Sequence, residues 1–137
     1  MKLSILTVTI VFCTVILLNG CSREKPQFAD FIGLWCTANG DTIRLMEDSC
    51  CIVRNMRDPN NTEDSIAVNF VGKWDFKASG YWGYDRPIVV LFPEKSLYSK
   101  MFFVSGQGLF NNRPPWYFFR YIGDPDDLNE YAFRKVQ

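Results

Sequence analysis

Turn signals recur at short intervals from residue 31 to the end of the chain, and that spacing leaves no room for long helices. Asn39-Gly40-Asp41, Glu47-Asp48-Ser49, Asp58-Pro59-Asn60, Ser79-Gly80, Pro93-Glu94-Lys95, Gly106-Gln107-Gly108 and Gly123-Asp124-Pro125 all break the chain. The runs between them are rich in β-branched and aromatic residues, which suit a pleated, half-buried surface. Residues 42–46 alternate in part, residues 88–92 are continuously apolar, and residues 116–122 are mostly aromatic. No stretch after residue 21 keeps a 3.6-residue period over three turns. The pattern predicts an all-β fold, a small antiparallel meander barrel or strongly curved sheet of about eight strands. Strands are expected at residues 31–37, 42–46, 50–54, 66–76, 88–92, 97–105 and 116–122, and around Tyr131 and Phe133. Residues 30–137 form a single β domain on this reading.

One pattern occurs twice. Phe31-Ile32-Gly33-Leu34-Trp35 and Phe70-Val71-Gly72-Lys73-Trp74 share F-[IV]-G-x-W. A glycine just ahead of a tryptophan suits a strand that bends as it enters a small barrel, with Trp35 and Trp74 in the core. Two diverged copies do not make a solenoid. On Gly33-x-Trp35 and Gly72-x-Trp74 the chain resembles small lipocalin-like meander-barrel lipoproteins. The resemblance implies the architecture and no ligand.

The N-terminus carries a separate message. Lys2 is followed by an apolar run over residues 3–18, then Leu18-Asn19-Gly20-Cys21. A run this short with a small residue at its end reads as a processed export signal, residues 1–20. Leu18, Gly20 and Cys21 resemble the lipobox of bacterial lipoproteins. That resemblance implies cleavage before Cys21 and its modification by fatty acyl chains such as palmitate, several of which make a stable anchor. Residues 21–29 are then a lipidated end and short tether, with order expected from Asp30 or Phe31. Ser22, in place of the aspartate associated with inner-membrane retention, implies the outer membrane, facing the periplasm. A plain signal peptide and an uncleaved signal anchor are the alternatives.

In an oxidising compartment Cys36, Cys50 and Cys51 allow one disulfide. Vicinal pairing of Cys50 with Cys51 is strained, so Cys36 is expected to bond one of the pair. Free buried thiols are the alternative.

Several functions are excluded or weakened by composition. Fifteen basic residues, Lys2 among them, face 15 acidic ones, which gives no basic field for nucleic acid. The chain has no histidine, so Ser-His-Asp, Cys-His and His-ligated metal sites are absent. Asp124, Asp126, Asp127 and Glu130 are loosely spaced like calcium ligands, but a solvated turn accounts for them. Asp85 and Glu94 are the carboxylates nearest to aromatic residues, and ordinary surface charge accounts for them as well. No cofactor, no metal and no catalytic residue is expected.

The aromatic content, 16%, is concentrated near connections. Tyr81, Trp82 and Tyr84 lie among glycines; Asn111, Asn112, Arg113, Trp116 and Tyr117 form or flank a Pro-Pro loop. Rigid aromatics beside polar groups suit a partner surface, or they fold inward and close the barrel ends. The expected function is a non-catalytic, membrane-anchored binding module with a protein partner in the cell envelope. An inhibitor or immunity protein would sterically block a toxin or hydrolase, with loops 55–65, 79–87 and 106–115 covering the target. A small-molecule or lipid carrier, which needs an interior cavity of at least roughly 300 Å³, and a structural part of an envelope assembly are the other readings.

Overall fold

The computed structural model describes residues 24–57 and 67–137. The expected export signal, Cys21, and the expected strand start at Ile66 lie outside the described residues, as does most of loop 55–65. Eight strands follow in order: β1 Gly33–Cys36, β2 Thr42–Leu45, β3 Cys50–Met56, β4 Val68–Lys77, β5 Ile88–Pro93, β6 Lys100–Gln107, β7 Arg113–Tyr121 and β8 Glu130–Lys135. Each pairs antiparallel with the next, and β8 pairs with β1, so the meander closes into a barrel. Closure leaves no strand edge open for pairing with another chain. The closing seam is short, Trp35 opposite Lys135 and Cys36 opposite Arg134, extended by the Val136 amide donating to Leu34 O at 2.8 Å.

Side-chain alternation fills the interior. Ile43 and Leu45 of β2, Phe102 and Val104 of β6, Trp116 and Phe118 of β7, and Tyr131 and Phe133 of β8 all point inward. Phe118 lies 5.4 Å from Phe133, 4.8 Å from Trp35 and 5.5 Å from Phe102, measured between ring centroids. Such offset and edge-to-face contacts add to the area buried. Trp35 and Trp74 are both core residues. Their indole N–H groups donate to Phe31 O at 2.7 Å and Met46 O at 2.8 Å. Trp35 therefore ties β1 to the segment just before it, and Trp74 ties β4 to the β2–β3 turn.

Order begins before Asp30. A four-residue helix, α1 (Phe28–Phe31), precedes β1, and Phe28 stacks on Trp74 at 4.2 Å. Phe31 reaches Phe76 at 5.0 Å. The segment expected to be a free tether thus ends in a plug for one end of the barrel. That end, the α1 end, also carries the β2–β3, β4–β5 and β6–β7 connections. The opposite end carries the β1–β2, β3–β4, β5–β6 and β7–β8 connections. Loops 79–87 and 106–115 therefore leave from one end and residues 57–67 from the other, so the three do not form one loop cluster. The sixth strand also starts later than expected, at Lys100 rather than Leu97, leaving Leu97 and Tyr98 in the β5–β6 hairpin.

No disulfide forms: Cys36, Cys50 and Cys51 are free thiols. Register explains the correction. Cys36 is aligned with Thr42 and Arg54, whereas Cys51 is aligned with Leu45 and Gly33. Two strand spacings and three residues along the strand separate them, on the order of 14 Å, against a disulfide limit of about 7 Å between Cα atoms. Cys51 points into the core, and Cys50 accepts a hydrogen bond from Lys73 Nζ at 3.0 Å.

Two inward acids make the fold sensitive to alkali. Burial, reinforced by neighbouring Cys50, pushes the Cys51 thiol up to about 11. Burial and the hydrogen bond from Tyr131 Oη to Asp41 Oδ2, 2.7 Å, raise the Tyr131 phenol well above its ordinary value. The folded chain holds both protons to higher pH than the unfolded chain does. Over that interval the unfolded state binds fewer protons, so unfolding is favoured as pH rises. The urea midpoint is expected to hold up to about pH 9 and then to fall progressively towards pH 11. In Cys51→Ala the fall begins about one unit later. A midpoint that stays level to pH 11 would contradict the burial of both groups.

Candidate functional site

The outer wall of β5, β6 and β7 is as apolar as a core. β5 reads as a continuous apolar run because both of its faces are covered: Val89 and Leu91 inside, Ile88 and Val90 outside, all fully buried. Across the register Ile88 faces Phe103, and Phe103 faces Phe119. Phe119 is also buried, although it points away from the barrel axis. Phe103 lies 6.0 Å from both Phe119 and Tyr121. The β4–β5 loop folds over this wall, with Tyr84 edge-on to Phe103 at 5.2 Å and the Arg86 guanidinium 4.9 Å above the same ring.

The loop takes this path because of its own turn. Trp82 and Gly83 both have positive φ, 53° and 81°, between a Tyr81–Tyr84 bridge. The Tyr84 amide donates to Tyr81 O at 3.1 Å, and the Gly80 amide to Tyr84 O at 2.9 Å. Two successive left-handed residues make a tight hairpin turn. Trp82 sits at its tip, 77% exposed.

Between this loop and the β5–β6 hairpin runs an open groove of about 510 Å³. Tyr81, Trp82, Tyr84, Tyr98, Phe103 and Tyr121 line it, with Leu97 and Met101 at the hairpin side. Its charged lining residues are Lys100 and Arg120. Leu97 and Tyr98 are 99% and 81% exposed. A second groove, about 540 Å³, lies on the other flank of the same hairpin, between Val68–Val71 and Pro93–Ser96, and shares Lys100. Aromatic faces with two cations can hold an extended chain bearing apolar side chains and carboxylates.

The expected surface residues are divided by the fold. Tyr81, Trp82 and Tyr84 gather in the groove. Trp116 joins the core, its ring packed on the Gly106 backbone so closely that a Cβ there would stand 2.6 Å from it. Tyr117 lies half-buried on the outer wall under the Arg134 guanidinium, 4.5 Å away. Asn111, Asn112 and Arg113 belong to the β6–β7 hairpin at the α1 end, away from the groove lining. Phe103, Tyr121, Lys100, Arg120, Leu97 and Tyr98 were not expected. They come from two strands, β6 and β7, and a hairpin, and only register brings them together. Asp85 lines neither groove and Glu94 lines the second, so the two carboxylates do not share a cleft. Asp124 caps the short helix at Pro125–Asp127 by accepting from the Asp126 amide at 3.0 Å, which accounts for the acidic run as a turn. Among the described residues no group of three or more His, Cys, Asp or Glu side chains is placed to hold a metal ion, and no helix is long and apolar enough to cross a membrane.

Comparison with known proteins adds no relative: no family model, no curated protein and no solved structure matches the chain.

Proposed function

We propose that the chain is a lipid-anchored, non-catalytic binding protein of the cell envelope, held at Cys21 and facing the periplasm. Its outer aromatic groove takes up a protein partner. The observation that supports this reading is the gathering of Trp82, Leu97 and Tyr98, all strongly exposed, on one groove while the interior is occupied by aromatic side chains. Exposed large aromatics on one rigid wall are what a contact surface needs. An inhibitor or immunity role is the form of this reading that the same geometry supports. A compact barrel that buries an aromatic wall against a toxin or hydrolase blocks it sterically and needs no catalytic group. The carrier reading is less well supported, since aromatic side chains such as Trp35, Phe102, Phe118 and Phe133 pack together in the interior.

Affinity capture from envelope extracts with the full-length protein, followed by a hydrolase panel on the captured partner, tests the reading. Trp82→Ala with Tyr98→Ala is expected to weaken capture by about 30-fold or more, the scale of at least one interface hot spot. The stability of this exposed double variant is expected to change by no more than about 0.5 kcal/mol per site. Undiminished capture by the double variant would overturn the groove as the contact surface. Turnover of a substrate by the protein alone would overturn the non-catalytic reading.

A further inference from the structure

We infer that the α1 end of the barrel rests on the lipid bilayer, with the tip of the β6–β7 hairpin inserted at the interface. The inference rests on the membrane-held N-terminus proposed above and concerns a different surface from the groove. The hairpin is tightly built. Gln107 pairs with Arg113, the Gly106 amide donates to Asn111 O at 2.9 Å, and the Asn111 amide donates to Gly108 O at 3.1 Å. Positive φ at Gly108 and Asn111, 90° and 52°, turns the chain between them. This leaves Leu109 and Phe110 at the tip, 90% and 76% exposed. A rigid hairpin that presents two adjacent large apolar side chains to water has no reason to do so within the barrel itself.

The position of the chain's start supplies the occupant. α1 plugs the same end, through Phe28 on Trp74, and the apolar run of residues 3–18 lies upstream of it in sequence. Between Cys21 and Phe28 the chain can extend at most about 25 Å. A bilayer that holds residue 21 therefore lies close to this end, and the β6–β7 tip projects from it. Arg113, at the base of the hairpin, places a positive charge beside the tip, which suits an anionic headgroup. Leucine and phenylalanine at the tip gain by leaving water for the headgroup–acyl boundary. Docking at this end orients the barrel so that its side groove stays open to the aqueous phase.

The test uses the full-length chain reconstituted in phosphatidylethanolamine–phosphatidylglycerol vesicles containing brominated lipid. Trp82→Phe removes the exposed reporter, leaving Trp35, Trp74 and Trp116 in the core. In that background Phe110→Trp is compared with Leu97→Trp, which sits in the hairpin at the opposite end. The expected result is blue-shifted emission and quenching by brominated lipid for Phe110→Trp, and neither for Leu97→Trp. A protein that sediments with the vesicles but shows no quenching at position 110, or equal quenching at position 97, overturns the docking and leaves the anchor standing. A protein that washes off the vesicles overturns both.

Discussion

Phe118→Ala is expected to lower the stability of the barrel by about 3–5 kcal/mol. The ring is fully buried and touches Phe31, Trp35, Phe102 and Phe133, so its removal leaves a cavity walled by rings that cannot collapse into it. Domains of this size have roughly 5–15 kcal/mol in all. The melting temperature should therefore fall by about 15 °C or more, at some 4–8 °C per kcal/mol. Calorimetry or urea unfolding checks it. A loss below about 1 kcal/mol would mean that the interior is loosely packed, which would revive the carrier reading.

Gly72→Ala is expected to be as damaging for a different reason. A Cβ there would stand 2.3 Å from the carbonyl oxygen of Phe92 and 3.0 Å from the Pro93 Cα. Both are backbone atoms of the paired strand, so β4 and β5 would have to separate. The expected outcome is a loss of more than about 3 kcal/mol or failure to accumulate folded protein. Gly40→Ala is the control. Its φ of 87° is unfavourable to alanine, but nothing lies within 4 Å of the new Cβ, so the cost stays near 1–2 kcal/mol. Equal losses at the two sites would contradict the close approach of β4 and β5.

These two positions also show what the sequence could and could not tell. Both tryptophans of the repeated F-[IV]-G-x-W are in the core, but the pattern marks a strand entry only once: Gly33 opens β1, whereas Gly72 lies in the middle of β4. The glycines serve different ends, however. Gly33 has a φ of 139° and its Cβ would meet only the flexible end of Lys135, whereas Gly72 is required by backbone contact. A one-dimensional pattern cannot separate conformational need from steric need. Strand number, turn positions and inward alternation on β8 were legible because they depend on local chemistry and a period of two. The cysteine pairing was not, because it depends on a register three residues off. The ends from which the loops emerge were in principle legible: in an antiparallel meander successive connections alternate, so loops 55–65 and 79–87 had to diverge. The groove was not legible at all. Phe103, Tyr121 and Lys100 look like ordinary strand residues until β6 and β7 are aligned, and Tyr98 looks like the start of one. α1 was missed because four residues carry too little pattern to announce a helix.

The seam between β1 and β8 has a consequence for how the protein is made. The two partners are about as far apart in the sequence as the domain permits, and β8 is the last of the eight strands to be synthesised. Until residues 130–136 arrive, seven strands form an open sheet with two bare edges, each able to recruit a neighbouring chain. The nascent molecule is thus most exposed to misassembly in the final moments of its synthesis, and chaperones would meet it as an unclosed ribbon.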